Sequence, residues 1–192
     1  MARCVEFNEV EKIEKAMNVF WEKGYNATSI QDLVDAMQIN RSSLYNTIGD
    51  KHQLFMKCIS NYFDNAMCEV KEKVAKHSSA KEALIKLITD KADWIVSCDK
   101  GCLGMKTIFE IAPDDCQVRN QMSKNNEVYI DFLKSIVQKA MDAGEMDASE
   151  SAEIMAEYIV NSFTGWKQAY ILHQNPIKIK KMSEVLIKNI FK

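Results

Sequence analysis

FWEKGYNATSIQDLVDAMQINRSSLYNTIGDK, the stretch from Phe20 to Lys51, decides the architecture. Within it Ile30, Leu33, Val34 and Met37 recur at the three- and four-residue steps of an amphipathic helix, which ends at Met37. Thr28 with Gln31 three residues later has the form of a capping box and is expected to open that helix. After Gln38-Ile39-Asn40, Asn40 caps a second short helix, Arg41 to Thr47, which Gly49 ends. Two short helices so joined make a helix-turn-helix. The second exposes Arg41, Ser42, Ser43, Tyr45 and Asn46 and has the size of a DNA major groove.

Outward from this unit the chain reads as helix throughout. Val10, Ile13, Met17 and Phe20 place a first helix that ends near Lys23, with Gly24 as its left-handed cap. Asp50 with Gln53 opens a long fourth helix to about Lys76, and Ser79 with Glu82 opens a fifth to about Cys98. A sixth begins near Leu103 and is stopped by Pro113. A seventh spans Asp114 to Asp142, with Gly144 as its cap. Asp147 and Glu150 are expected to open an eighth. From Ile154 to Leu172 it is apolar nearly all round and demands cover on two sides. Asn175-Pro176 closes it and puts proline in the first turn of a ninth helix, which runs to about Phe191. The fold expected is all-α, an N-terminal three-helix unit followed by a helical bundle.

Composition agrees. With 192 residues the chain can bury about 70% of its unfolded surface, and 6 glycines and 2 prolines leave few breaks in regular structure. Lys and Arg number 25 against 27 Asp and Glu, net −2, so any contact with a polyanion is local. The 6 cysteines (Cys4, Cys58, Cys68, Cys98, Cys102 and Cys116) lack zinc-site spacing. No metal or cofactor is expected. Met1 to Val10 has no apolar core, and no stretch approaches a membrane span, so a cytoplasmic location is expected.

The G-Y-N-A-T-S-I, S-L-Y and G-D-K blocks within Phe20 to Lys51 closely resemble the N-terminal domain of TetR/AcrR-family transcriptional regulators. The sequence departs from that pattern at Thr47-Ile48, where His-Phe is commoner, and at Gln38, where a turn glycine is usual. The resemblance implies a DNA-binding domain over 1–50 and an effector-binding and dimerisation domain over 51–192. It implies a ligand- or stress-responsive regulator, acting as a repressor. Such a protein binds a palindromic double-stranded operator as a homodimer and is released by a small-molecule effector. Physically, Thr28 and Ser29 offer hydroxyls and a helix N-terminus to a phosphate. Lys51 is a second phosphate site, and Tyr45 directs a hydroxyl at the backbone. Arg41, Ser42 and Ser43 suit base edges, with Asn46 beside them. The resemblance assigns similar roles to these positions. Residues 1–60 carry seven basic and eight acidic side chains, so the electrostatic part of binding rests on few groups.

GCLGMKTIFEIAPDD, Gly101 to Asp115, is similar to a segment of one branch of that family. The equivalent cysteine senses electrophiles or oxidants in neighbouring branches, so Cys102 is a candidate thiol sensor; a helix N-terminus and nearby Lys100 favour such chemistry. A small-molecule pocket is expected among Trp94, Cys102, Met105, Phe109, Met122, Tyr129, Phe163 and Trp166, although core packing explains the same residues. His173, Glu110 and Asp114 form no nucleophile, base and orienter set, so an enzyme is not expected. The rival reading is a helical interaction adaptor that has lost DNA binding.

Overall fold

Residues 9–191 are described in a computed structural model, and Cys4 and the charged opening segment lie outside them. The described residues form nine α-helices and no strand: α1 (Glu9–Lys23), α2 (Ile30–Met37), α3 (Arg41–Thr47), α4 (Lys51–Val74), α5 (Ala80–Ser97), α6 (Leu103–Glu110), α7 (Cys116–Asp142), α8 (Ala152–His173) and α9 (Pro176–Ile190). The all-α expectation holds, with every helix within a few residues of its expected bounds.

The chain divides into two compact units. The first comprises residues up to Ala66 together with Cys102–Met122. Its core gathers Ile13, Ala16 and Phe20 of α1, Leu33, Val34 and Met37 of α2, Leu44 and Ile48, Leu54, Phe55, Cys58 and Ile59 of α4, and Leu103 of α6. Phe20 meets Phe55 edge-on at 5.0 Å, and Tyr25 lies 4.8 Å from the same ring. Gly104 is required by close packing: a Cβ there would stand 2.8 Å from the Phe63 ring, so the second glycine of the GCLG run lets α6 seat on α4.

The second unit holds Met67–Gly101 and Ser123–Lys192. In it α5 packs against α8 and α9 around Leu84, Ile88, Ile95, Leu133, Val137, Ile159, Trp166 and Leu186. Lys167 of α8 is 5% exposed, and its ammonium donates to the Ile95 and Cys98 carbonyls at 3.2 and 3.5 Å. It thereby satisfies carbonyls at the C-terminal end of α5, where a positive charge is favoured.

Three helix starts differ from expectation. For α2 the capping residue is Ser29, whose hydroxyl oxygen accepts from the Asp32 N–H, while the Asp32 carboxylate accepts from the Ser29 N–H at 2.8 Å. The Thr28–Gln31 pairing therefore does not form. Helix α8 starts one turn later than Asp147 implied, capped by Ser151 through the Ile154 N–H. At α5 the Ser79 cap forms, yet Glu145 rather than Glu82 completes it, accepting from the Ser79 hydroxyl and the Lys81 N–H. The Asn40 and Asp50–Gln53 caps stand as read, and α9 opens with Pro176 in its first turn, its cap supplied by the Asn175 side chain. Because Ser29 carries the α2 cap, Ser29→Ala is expected to lower stability by about 1 kcal/mol, with Gln31→Ala within a few tenths of wild type. Urea denaturation followed by circular dichroism checks the contrast, and a larger loss for Gln31→Ala contradicts it.

Candidate nucleic-acid interface

A seven-residue helix cannot hold itself together in water. Helix α3 is held by Leu44, which is 0% exposed, and by Ile48 just past its last turn, both sunk into the first unit's core. With those two positions inward, Arg41, Ser42, Tyr45 and Asn46 stand exposed, Tyr45 at 51%, and Ser43 is half-buried. The Asn40 side-chain oxygen accepts from the Ser43 N–H at 2.7 Å and fixes the start of the helix. Gln38 makes the turn in the left-handed region at φ 54°, with its N–H on the Asp35 carbonyl and the Ile39 N–H on the Val34 carbonyl. The guanidinium of Arg41 donates through Nη2 to the Gln31 Oε1 of α2 at 3.1 Å.

The start of α2 is arranged differently from the sequence reading. Thr28 is 2% exposed and gives its hydroxyl to the Gly24 carbonyl at 2.6 Å, so it shapes the α1–α2 turn and presents no hydroxyl outward. Ser29 is exposed, but its N–H and its hydroxyl both donate to the Asp32 carboxylate. Lys23 completes this cluster at 2.6 Å from Asp32. The Lys23 hydrogen bond, followed by those from Ser29, holds the Asp32 carboxyl far below the usual carboxylate range. Neither Thr28 nor Ser29 therefore has an idle hydroxyl for phosphate in this conformation.

Lys51, at the first turn of α4, lies with its ammonium 4.4 Å from the centre of the Tyr25 ring. Burial lowers its pKa, against the opposing charges of Glu110 and Asp32. The ring fixes where this charge sits, a contact of the cation–π kind.

Helix α6 and the turn after it brace this part of the first unit. Glu110, weighed above only as an acid/base candidate, accepts from the Asn26 N–H at 2.9 Å and the Tyr25 N–H at 3.4 Å. Lys106 donates to the Trp21 carbonyl at 2.6 Å. His52 Nε2 and the Asp115 carboxylate are 2.7 Å apart. These partners lie more than 60 residues apart in sequence and carry no local signature, which is why periodicity and caps missed them.

Of the expected effector residues, Cys102, Met105, Phe109 and Met122 belong to the first unit. Cys102 is half-buried at the N-cap of α6 with its sulfur 3.8 Å from the Tyr62 hydroxyl, and Met122 is buried in the core. Phe109 is a correction: 71% exposed, it stands on the surface and walls no interior cavity. In the second unit Trp94 packs beneath the Lys91 ammonium at 4.2 Å, Phe163 and Trp166 contact at 5.4 Å, and burial pushes the Tyr129 phenol up. Among the described residues no cluster of three His, Cys, Asp or Glu is placed to hold a metal ion, and no helix is long and apolar enough to cross a membrane.

A short helix with an exposed polar face, joined by a tight turn to an amphipathic partner, defines a helix-turn-helix module. Comparison with known proteins carries this further. Residues 13–58 match the family described as bacterial regulatory proteins, tetR family, and residues 80–186 match the tetracyclin repressor-like C-terminal domain. The chain belongs to the TetR family of transcriptional regulators. It is 27% identical over 165 residues to the uncharacterised HTH-type transcriptional regulator YezE of Bacillus subtilis, covering 84% of this chain and 85% of that one. It is 24% identical to the HTH-type transcriptional repressor ComR of Escherichia coli, covering 80% and 74%. Among solved structures, a cysteine mutant of the TetR-family regulator CifR complexed with 26-bp double-strand operator DNA superposes with a TM-score of 0.81 at 22% identity, over 97% of this chain and 98% of that one. FadR from Bacillus subtilis in complex with stearoyl-CoA gives 0.78 at 14% identity, over 96% and 98%.

The brace at His52 has a measurable pH signature. Asp115 accepts from the Val118 N–H and, at its other oxygen, from His52, and both lower its pKa. The unfolded chain therefore binds more protons at this carboxyl between the folded and ordinary values, and stability rises with pH across that window. The contribution is complete above the ordinary carboxylate value and is lost as pH falls through the folded one. Asp115→Asn is expected to flatten the acid limb of the urea midpoint against pH, and an unchanged slope contradicts the assignment.

Proposed function

We propose that the protein is a homodimeric repressor that reads a palindromic operator with α3 and is released by a small-molecule effector, residues 1–50 binding DNA and 51–192 binding effector and dimerising. The observation that carries the DNA reading is the exposed row Arg41, Ser42, Tyr45 and Asn46 on a helix fixed from beneath by Leu44 and Ile48. Arg41 serves guanine, Ser42 and Ser43 stand beside it toward base edges with Asn46 next to them, and Tyr45 and Lys51 contact the backbone. At α2 the phosphate contact comes from the first-turn N–H groups that no helix satisfies internally, with Thr28 and Ser29 shaping that turn. CifR's operator complex and ComR's designation as a repressor support the reading.

FadR's complex with stearoyl-CoA supports a small-molecule effector, and we assign its site to the larger domain. Trp94, Tyr129, Phe163 and Trp166 supply apolar and aromatic surface for it in the second unit. Cys102 is half-buried with its sulfur against the Tyr62 hydroxyl, so a reversible ligand leads and thiol sensing stands second. By linkage the effector binds the DNA-bound form more weakly by the factor it removes from DNA affinity.

For the dimer, support lies on α8 and α9. Ile154, Tyr158, Ile171, Leu172, Ile177 and Val185 remain exposed, and Tyr158, Trp166, Met182, Val185 and Leu186 line an open groove of about 310 Å³. So much apolar surface on adjacent helices suits a self-complementary interface. Light scattering at micromolar concentration is expected to give twice the chain mass, and a monomer overturns this assignment.

Selection from a random duplex pool tests the DNA reading. A palindrome with half-sites about one helical turn apart is expected. Arg41→Ala is then expected to cost about 1 to 3 kcal/mol on the selected duplex and to relax preference at one base pair, while Lys51→Ala weakens selected and random duplexes alike. Failure to bind either duplex at low salt returns the adaptor reading.

A further inference from the structure

We propose that Gln31, oriented by Asp35, is a positioning residue that aims the Arg41 guanidinium at its base. This rests on the reading of α3 as the base-reading helix and adds a residue of α2 to the determinants of specificity.

The Ser29–Asp32 pair caps α2, so the Gln31 side chain is released from the role that its spacing from Thr28 suggested. It lies exposed between two partners on opposite sides. Its amide nitrogen donates to the Asp35 carboxylate at 2.7 Å, and its amide oxygen accepts from Arg41 Nη2 at 3.1 Å. A carboxylate accepts and does not donate, and a guanidinium donates and does not accept. An amide set between them therefore has one favourable orientation, because turning it over would face oxygen to oxygen and N–H to N–H. Asp35 thus fixes the acceptor that Arg41 meets.

Arginine carries many rotamers, and aligning its planar fork with a guanine edge loses that freedom on binding. Holding one Nη2 hydrogen on Gln31 restricts the side chain beforehand and leaves its other donors for the base. The bond also spans the Gln38 turn, joining α2 to α3 next to the α3 cap at Asn40. An acidic residue on the helix-turn-helix of a DNA-binding protein adds repulsion toward phosphate. At Asp35 the charge has a compensating role as the anchor of the Gln31 amide.

The experiment uses the full chain, the duplex selected by the wild type, the same duplex substituted at the base pair where Arg41→Ala relaxes preference, and a random duplex of equal length. Gln31→Ala is expected to reduce discrimination at that base pair by about threefold to tenfold, as loss of preorganisation of one long side chain does. Its affinity for the random duplex is expected to stay within about twofold of wild type, since no charge changes. Asp35→Ala lowers discrimination at the same base pair. Gln31→Glu combined with Asp35→Asn reverses the donor and acceptor between the two positions at constant net charge, still offers an oxygen to Arg41, and is expected to restore discrimination. In an Arg41→Ala background Gln31→Ala has no further effect on preference. Undiminished discrimination in Gln31→Ala overturns the proposal, as does an equal loss on both duplexes or a loss that persists without Arg41. Failure of the wider reading looks different, since Arg41→Ala itself then leaves preference unchanged.

Discussion

The burial of Leu44 and Ile48 under α3 is the contact on which the reading surface depends. Seven residues form too few internal hydrogen bonds to stabilise a helix, so α3 exists because Leu44 and the adjoining Ile48 are removed from water into the cluster around Phe20, Leu33 and Phe55. The same burial decides which side chains α3 presents. Once positions 44 and 48 point inward, helical geometry turns Arg41, Ser42, Tyr45 and Asn46 outward without further instruction. A polar substitution at Leu44 would therefore remove the presentation of the whole row along with the packing energy.

Polar contacts around this core settle what burial leaves open, namely the directions of the loops. Backbone groups of the α1–α2 turn are bound one by one: the Gly24 carbonyl by Thr28, the Tyr25 and Asn26 N–H groups by Glu110, and the Trp21 carbonyl by Lys106. Each bond removes a backbone group that would otherwise be satisfied only by water, and together they leave the turn little freedom. Charges here are also mostly paired locally, as in Lys23–Asp32, so the even balance of acid and base in this region is compatible with a surface whose few cations are placed individually.

Local patterns made the sequence readable where the deciding partners were near in the chain. Periodicity marks the helices, and the caps at Asn40 and Asp50 are visible because donor and acceptor are three residues apart. At α2 the Thr28–Gln31 spacing fits the capping rule, but the Thr28 hydroxyl is buried against the Gly24 carbonyl and Ser29 pairs with Asp32 instead. Nothing local announces that Glu145 caps α5, that Glu110 binds the α1–α2 turn or that Lys167 closes the end of α5, because those pairings are created by tertiary packing. Phe109 stands on the surface for a related reason. Helical spacing marks α6 as amphipathic but does not say which apolar residues its narrow buried stripe of Leu103, Gly104 and Thr107 leaves outside.

Gln38 shows how a departure from the family pattern is accommodated. The turn keeps the left-handed conformation at φ 54° that a glycine adopts freely, so the glutamine holds it at a cost of about 1 kcal/mol. Three bonds on consecutive residues oppose that cost: the Gln38 N–H to Asp35, the Ile39 N–H to Val34, and the Asn40 side chain to the Ser43 N–H. A side chain at this position also removes conformations that glycine would leave open to the unfolded chain and to a loosened turn. The direction of α3 relative to α2 is thus fixed by backbone geometry first and by the Gln31–Arg41 bond second. Specificity in such a module depends on both, because a base-reading side chain is only as well aimed as the helix that carries it.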